Sequence, residues 1–274
     1  EVDYEVVGGP GACCGIIQSK WEGDQAAGDR VVNGTIDRFA GFQPKEVLSW
    51  CPSCVLHLGE TLSGFRKASF EFDHVTNYLV ARAEGLASKF VQPVNKRVLL
   101  HTHDGMDKVG RNVAAMLSSI PGLTLVDTVS EPGYTCGGSG ADRSPGLKQV
   151  AREATLARAE RDDVDILISL YHGCHGQLSG LEAGGKFQVL NWTDLLVQAL
   201  GQQPHDDVSK RYRMQDDWDM VLDEGEIYLK ANGIHMDRDW LKNLLPEIFA
   251  QKEFTGGLEA FAAGSGSESK SIQG

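Results

Sequence analysis

The chain has 274 residues, 41% of them hydrophobic and 23% charged, with a formal net charge of −12 and a pI near 5.1. That is ordinary globular composition, and its acidic balance argues against non-specific nucleic-acid binding, a class that carries a basic surface. No apolar run approaches the length needed to cross a bilayer and no secretory signal is visible, so a cytoplasmic protein without a transmembrane segment is expected.

In chain order, the opening EVDYEVVGG reads as the middle of a domain, which predicts a segment upstream of it. EVLSW (46–50) is a short, partly β-branched strand that runs into Cys51, and 74–87 has helical spacing. RVLLHTH (97–103) reads as a buried strand, followed by the amphipathic KVGRNVAAMLSSI (108–120) and a further strand at LTLVDTV (123–129). A helix is predicted over 147–162, and DILISLY (165–171) is a strand that again runs into cysteine. Strands alternating with helices predict an α/β fold with mainly parallel sheets. Beyond about residue 200 a charged helix–helix extension is expected to about 250, then the Gly/Ser-rich tail AAGSGSESKSIQG.

The two halves line up. PGACCG (10–15) meets PGYTCG (132–137) on a shift of 122; VLSWCPSC (47–54) meets ILISLYHGC on a shift of 120, placing Ser49 on Ser169, Cys51 on Tyr171 and Cys54 on Cys174. FEFDHVTNYL (70–79) meets FQVLNWTDLL (187–196) on a shift of 117. Three matches in one order predict duplicated units with altered loop lengths: 1–92, 93–200, and an extension over 201–274. The strand and helix at 97–120 have no counterpart in the first unit, which also predicts an upstream segment.

Four of the six cysteines lie in Cys13-Cys14 and Cys51-x-x-Cys54, and a chain of this size needs no disulfide staples. Cys14 and Cys51 are 37 residues apart, one helix plus one strand, so their loops are expected to meet at the carboxyl edge of a sheet. Thiolates suit zinc or iron–sulfur centres, and an adjacent pair suits a multi-iron cluster because the two sulfurs can reach different irons. Gly15 leaves room for the backbone to approach, and Pro52 restrains the second loop. No GxGxxG spacing, P-loop lysine or GxSxG elbow competes with this site. His57 and His74 are expected to have local hydrogen-bonding roles.

CCG, a spacer of about 36 residues, then CxxC resembles the cysteine-rich CCG domain, which heterodisulfide reductase and the lactate- and glycolate-oxidising enzymes have in their iron–sulfur subunits; the resemblance covers roughly residues 1–200. It implies tandem CCG domains and an oxidoreductase subunit. It further implies that Cys13, Cys14, Cys51 and Cys54 hold a 4Fe-4S cluster, of the non-cubane type in the family. A complete family motif has a fifth, upstream cysteine, which would precede residue 1. Flavin-containing and ferredoxin-like partner subunits and a small thiol or disulfide substrate are implied as well.

The second half departs from this pattern. Thr135 and Tyr171 stand where cysteines would, leaving Cys136 and Cys174. Around them the sequence gathers His101, His103, Asp104, Asp107, His172 and His175, a borderline-soft donor set suited to zinc or an altered iron site. Three readings stay open: a second metal held by these histidines and cysteines, a metal-free catalytic or substrate pocket using Cys136 and Cys174 as thiols, or a relic. For the whole chain, the alternatives are a non-catalytic, zinc- or cluster-stabilised scaffold and a lactate- or glycolate-oxidation type of subunit.

Overall fold

The computed structural model describes residues 3–102, 107–129, 145–183 and 185–249. They form two compact units: the described residues up to Ser88 with Arg111–Met116, and Lys89–Gly110 with the described residues from Leu117 onward. Both are built of parallel strands and helices, the α/β class read from the sequence. Among the described residues no helix is long and apolar enough to cross a membrane.

In the first unit the chain runs through α1 (Gln25–Gly41), β1 (Glu46–Ser49), α2 (Pro52–Gly64), β2 (Glu71–His74), α3 (Val75–Val80) and α4 (Ala83–Ala87). Asp24 starts α1 by accepting a hydrogen bond from the Ala27 amide at 2.9 Å, and Pro52 starts α2, where its missing N–H costs nothing. β1 and β2 pair in parallel from Glu46↔Glu71 to Ser49↔His74. Val32 and Ile36 of α1, Leu58 of α2, Phe70 and Cys14 form the core, with Phe39 packed edge-on to Phe70.

The helix expected over 74–87 is broken. His74 closes β2 and caps α3, accepting from the Thr76 amide at 3.2 Å. α3 stops at Val80; Arg82 folds back over the Tyr78 ring and donates to the Tyr78 carbonyl at 3.1 Å, satisfying a group the helix end leaves open.

The chain continues through β3 (Arg97–His101), α5 (Asp107–Ser118), β4 (Thr124–Val129), α6 (Pro145–Arg161), β5 (Ile166–Ser169), α7 (His172–Leu178), β6 (Gln188–Asn191) and α8 (Trp192–Ala199), all in the second unit except Arg111–Met116 of α5. Its sheet has the order β4-β3-β5-β6, all parallel. Val98, Leu99, Leu100, Leu167 and Ile168 are all fully buried, so successive residues are covered and both faces of the sheet are packed. From β3 the chain winds one way to β4, and from β5 the other way to β6. The switch point therefore lies between β3 and β5, where α/β sheets open a crevice for ligands.

The extension forms α9 (Val208–Arg213), α10 (Trp218–Ala231) and α11 (Arg238–Phe249) around Tyr212, Val221, Leu222 and Leu245. Arg211 donates to both Glu224 carboxylate oxygens, at 3.0 and 2.8 Å.

The duplication is repeated in the element order. α1 and α6 both have 17 residues and start 120 apart; β1 and β5, and α2 and α7, keep that shift. β2 and β6 are 117 apart, with His74 and Asn191 each capping the following helix. The insertion-free stretch from α1 through α2 thus holds one register, and the change falls in the loop before β2.

Candidate functional site

The Cys13-Cys14-Gly15 loop lies directly on α1. Gly15 has φ +76, and a Cβ there would stand 2.6 Å from the Gly28 carbonyl oxygen of that helix. Gly28 is equally confined: a Cβ on it would meet the Ser19 Cβ at 2.6 Å. The loop is then tied at both ends. Thr35 of α1, almost fully buried, donates to the Cys13 carbonyl at 2.5 Å, and Ser19 donates to the Gly15 carbonyl at 3.1 Å. Ser19 belongs to a π-turn over Ile17–Trp21, an irregularity common beside functional sites.

The second loop leaves the carboxyl end of β1. Ser49 Oγ accepts from the Cys51 amide at 3.2 Å, holding Cys51 in extended backbone as the N-cap of α2. Cys54 falls at the third helical position, and its side chain is hydrogen-bonded to both Cys14 and Cys51. None of the four cysteines is in a disulfide; Cys14 is buried, and Cys13, Cys51 and Cys54 are half-buried. The hydrogen bond from Cys54 brings Cys14 down to about 7, against the opposing pull of burial. Its bonds to Cys14 and Cys51, with burial, hold Cys54 well above the ordinary thiol range. One thiol thus keeps its proton and its neighbour is the better thiolate.

Among the described residues no three His, Cys, Asp or Glu side chains are placed to hold a single metal ion. The donor chemistry nevertheless fits a thiolate-ligated iron group. The sulfurs come from the loop before α1 and from the turn of β1 into α2, three are in a continuous hydrogen-bonded chain, and the fourth, Cys13 Sγ, accepts from Gly15 N at 3.5 Å. Such a group spreads its irons apart, so its ligands need not converge on one point.

His57 lies one turn past Cys54 on α2 and meets Ser19 Oγ at 3.4 Å, while its Nδ1 is buried without a hydrogen-bond partner among the described residues. His74 uses Nδ1 to accept from the Thr76 amide and Nε2 to donate to the Trp50 carbonyl at 3.2 Å, which fixes the neutral tautomer. Burial lowers both imidazoles below their ordinary 6.5. Below pH 6.5 the unfolded chain therefore binds more protons than the folded one, so stability is complete above that pH and declines as pH falls towards the lowered folded values. The urea midpoint is expected to be lower at pH 5.5 than at 7.5, and His74→Asn, which keeps a capping side chain, to flatten that slope. An unchanged slope contradicts the assignment.

In the second unit the strand ends align as Val129, His101, Ser169 and Asn191. His101 and Ser169 are fully buried and adjacent in the ladder at the switch point. Cys174 is buried in the first turn of α7, in the position Cys54 holds in α2, and Tyr171 is the N-cap as Cys51 is. His172 is exposed at the start of α7, and Asp107 is exposed at the start of α5. His175 is engaged on both sides: Nδ1 with Ser169 Oγ at 2.9 Å and Nε2 with Asp207 at 2.5 Å. The His175 hydrogen bond holds Asp207 below the usual carboxylate range, while burial pushes the neighbouring Asp194 up. Cys136, His103 and Asp104 lie outside the described residues.

The structure thus brings Cys14, Cys51 and Cys54 into contact and sets Cys13 beside them. It places His101 next to Ser169, and it occupies His175 within the protein. Residues 101–179 match the cysteine-rich CCG domain family, a match that supports an iron–sulfur or metal-binding role. No curated protein matches the chain. The match runs from the end of β3 to the end of α7, mostly in the second unit, which has fewer motif cysteines but has β3 and β4, strands without a counterpart among the described residues before α1. Sequence reading missed Thr35, Gly28, Ser169 and Asp207. Ser169 left a signal as the repeat counterpart of Ser49, and Gly28 as a glycine inside a helical stretch.

Proposed function

We propose that the chain is an iron–sulfur subunit of a heterodisulfide reductase-like oxidoreductase complex, with Cys13, Cys14, Cys51 and Cys54 as the ligands of a 4Fe-4S cluster. One observation carries the reading. The first unit repeats the helix–strand–helix–strand order of α6, β5, α7 and β6, and its four cysteines fall in the loop before α1 and at the turn from β1 into α2. When bound, the cluster supplies one-electron transfer at a thiolate-ligated iron group. The protein's own part is to hold the sulfurs. Thr35, Ser19 and the Gly15–Gly28 contact fix the Cys13-Cys14 loop, Ser49 orients Cys51, and the first turn of α2 sets Cys54 beside Cys14 and Cys51. In the second unit, His101 and Ser169 end the two strands that flank the switch point and His175 is bonded to Ser169; a disulfide substrate or second carrier would be met at that end of the sheet.

The test is a reduction cycle. Protein with its metal bound is expected to bleach in the visible on dithionite addition and to recover its colour with a low-molecular-weight disulfide but not with pyruvate, the keto acid of lactate. Recovery with pyruvate alone points to the hydroxy-acid class, and a colourless protein contradicts the cluster.

A further inference from the structure

Cys51 and Cys54 form a vicinal dithiol on one helical turn. Cys51 is the N-cap of α2 and Cys54 its third residue, with Pro52 between them locking the first turn. Side chains at these two positions reach back over the same turn, as the two partners of a capping box do. Their sulfurs are already hydrogen-bonded and both residues are half-buried, so an external disulfide can reach them. Cys14, the third thiol of the chain, lies beneath, 2% exposed. Cys13 has its sulfur drawn to the Gly15 amide. The second unit supplies an internal contrast: α7 has the same frame, with Cys174 in place of Cys54 but Tyr171 in place of Cys51, so it cannot close.

We propose that the first cysteine set is a thiol–disulfide switch: in the metal-free chain Cys51 and Cys54 close into a disulfide, and closure blocks metal loading. The blocking half rests on the reading of these residues as ligands. A small disulfide, with glutathione disulfide as the probe, is the oxidant. Cys51 Sγ attacks one of its sulfurs, the glutathione S–S bond breaks, and the first glutathione leaves with the Cys51 proton. Cys54 Sγ then attacks Cys51 Sγ, the mixed disulfide breaks, and the second glutathione leaves with the Cys54 proton. Two protein thiols are oxidised, one glutathione disulfide is reduced to two thiols, and two of the four sulfur donors are withdrawn from the site.

The experiment uses the full chain, reduced and stripped of metal by chelation, then equilibrated in buffers of graded reduced-to-oxidised glutathione ratio. Remaining thiols are alkylated, disulfides are mapped by peptide mass, and iron uptake is measured on the same samples. The expected result is a Cys51–Cys54 linkage without retained glutathione, iron uptake lost in proportion to it, and full recovery after dithiothreitol. In Cys54→Ser, which lacks the resolving thiol, Cys51 should retain one glutathione per chain. The switch is overturned if Cys51 and Cys54 remain alkylatable across the range, or if Cys54 links to Cys14 instead. Closure with iron uptake unaffected overturns the blocking step. A reduced chain that closes normally but never takes up iron overturns the ligand reading and leaves the dithiol couple standing.

Discussion

Cys54→Ser is expected to lose iron at least about ten-fold, the lower end of what even outer-shell changes cost a metal site. Cys54 is the one thiol hydrogen-bonded to both of its neighbours, so its removal takes away a donor and the contact that links Cys14 to Cys51. Serine keeps the shape of the first turn of α2 and leaves Pro52 and the Ser49–Cys51 contact in place, so far-ultraviolet circular dichroism should be unchanged. Metal analysis of the purified variant reads the loss directly. Cys13→Ser serves as the companion, because its sulfur stands apart from the hydrogen-bonded three. Unchanged iron in both variants contradicts the ligand assignment.

Gly15→Ala is expected to be the most damaging single-methyl change in the first unit. A left-handed conformation costs a non-glycine residue about 1–2 kcal/mol, and forcing a methyl into packed backbone adds about 1–3 kcal/mol. The obstruction is the Gly28 carbonyl oxygen at 2.6 Å, part of a helix that cannot step aside as a flexible side chain would. Destabilisation of about 2–5 kcal/mol in urea unfolding follows, together with loss of metal binding, because the displaced loop carries Cys13 and Cys14. Gly28→Ala meets a comparable obstruction, but it recovers up to about 1 kcal/mol of helix propensity and should cost less. Equal costs for the two would show that φ at Gly15 is not what matters.

Four strands were legible in the sequence: EVLS and TLVDTV, which are β1 and β4, and two with continuous apolar runs. RVLLH is β3 and ILIS is β5, both buried on two faces, and the pattern of a parallel core strand is hard to mistake. β2 and β6 were visible only through the repeat, since EFDH and QVLN are four residues long and mixed in character. α1 was expected from the Cys14–Cys51 spacing but had no bounds, because QAAGDRVVNGTIDRFAG contains three glycines and a weak apolar stripe; the Asp24 cap and the loop packed upon it help to hold it. The motif cysteines were legible because their chemistry is carried by residue type and spacing. Their supports were not: Thr35 meets Cys13 across 22 residues, and Asp207 meets His175 across 32, with no local pattern to announce either.

The His175 contacts also show what residue type alone leaves open. Read by composition, His175 joins a donor set with Cys136, Cys174, His101, His103 and His172. In the structure both its ring nitrogens are used, by Ser169 on β5 and by Asp207 at the start of α9. A histidine next to a cysteine can thus hold a helix in place, and only the partners of its two nitrogens distinguish that role from ligation.

The most direct measurement is the iron and acid-labile sulfide content of anaerobically purified protein, with electron paramagnetic resonance before and after oxidation. About four irons and four sulfides per chain, with a signal that changes reversibly, is the predicted result. Zinc without sulfide, and no paramagnetic signal in either state, would contradict it and make the cysteine site a structural one.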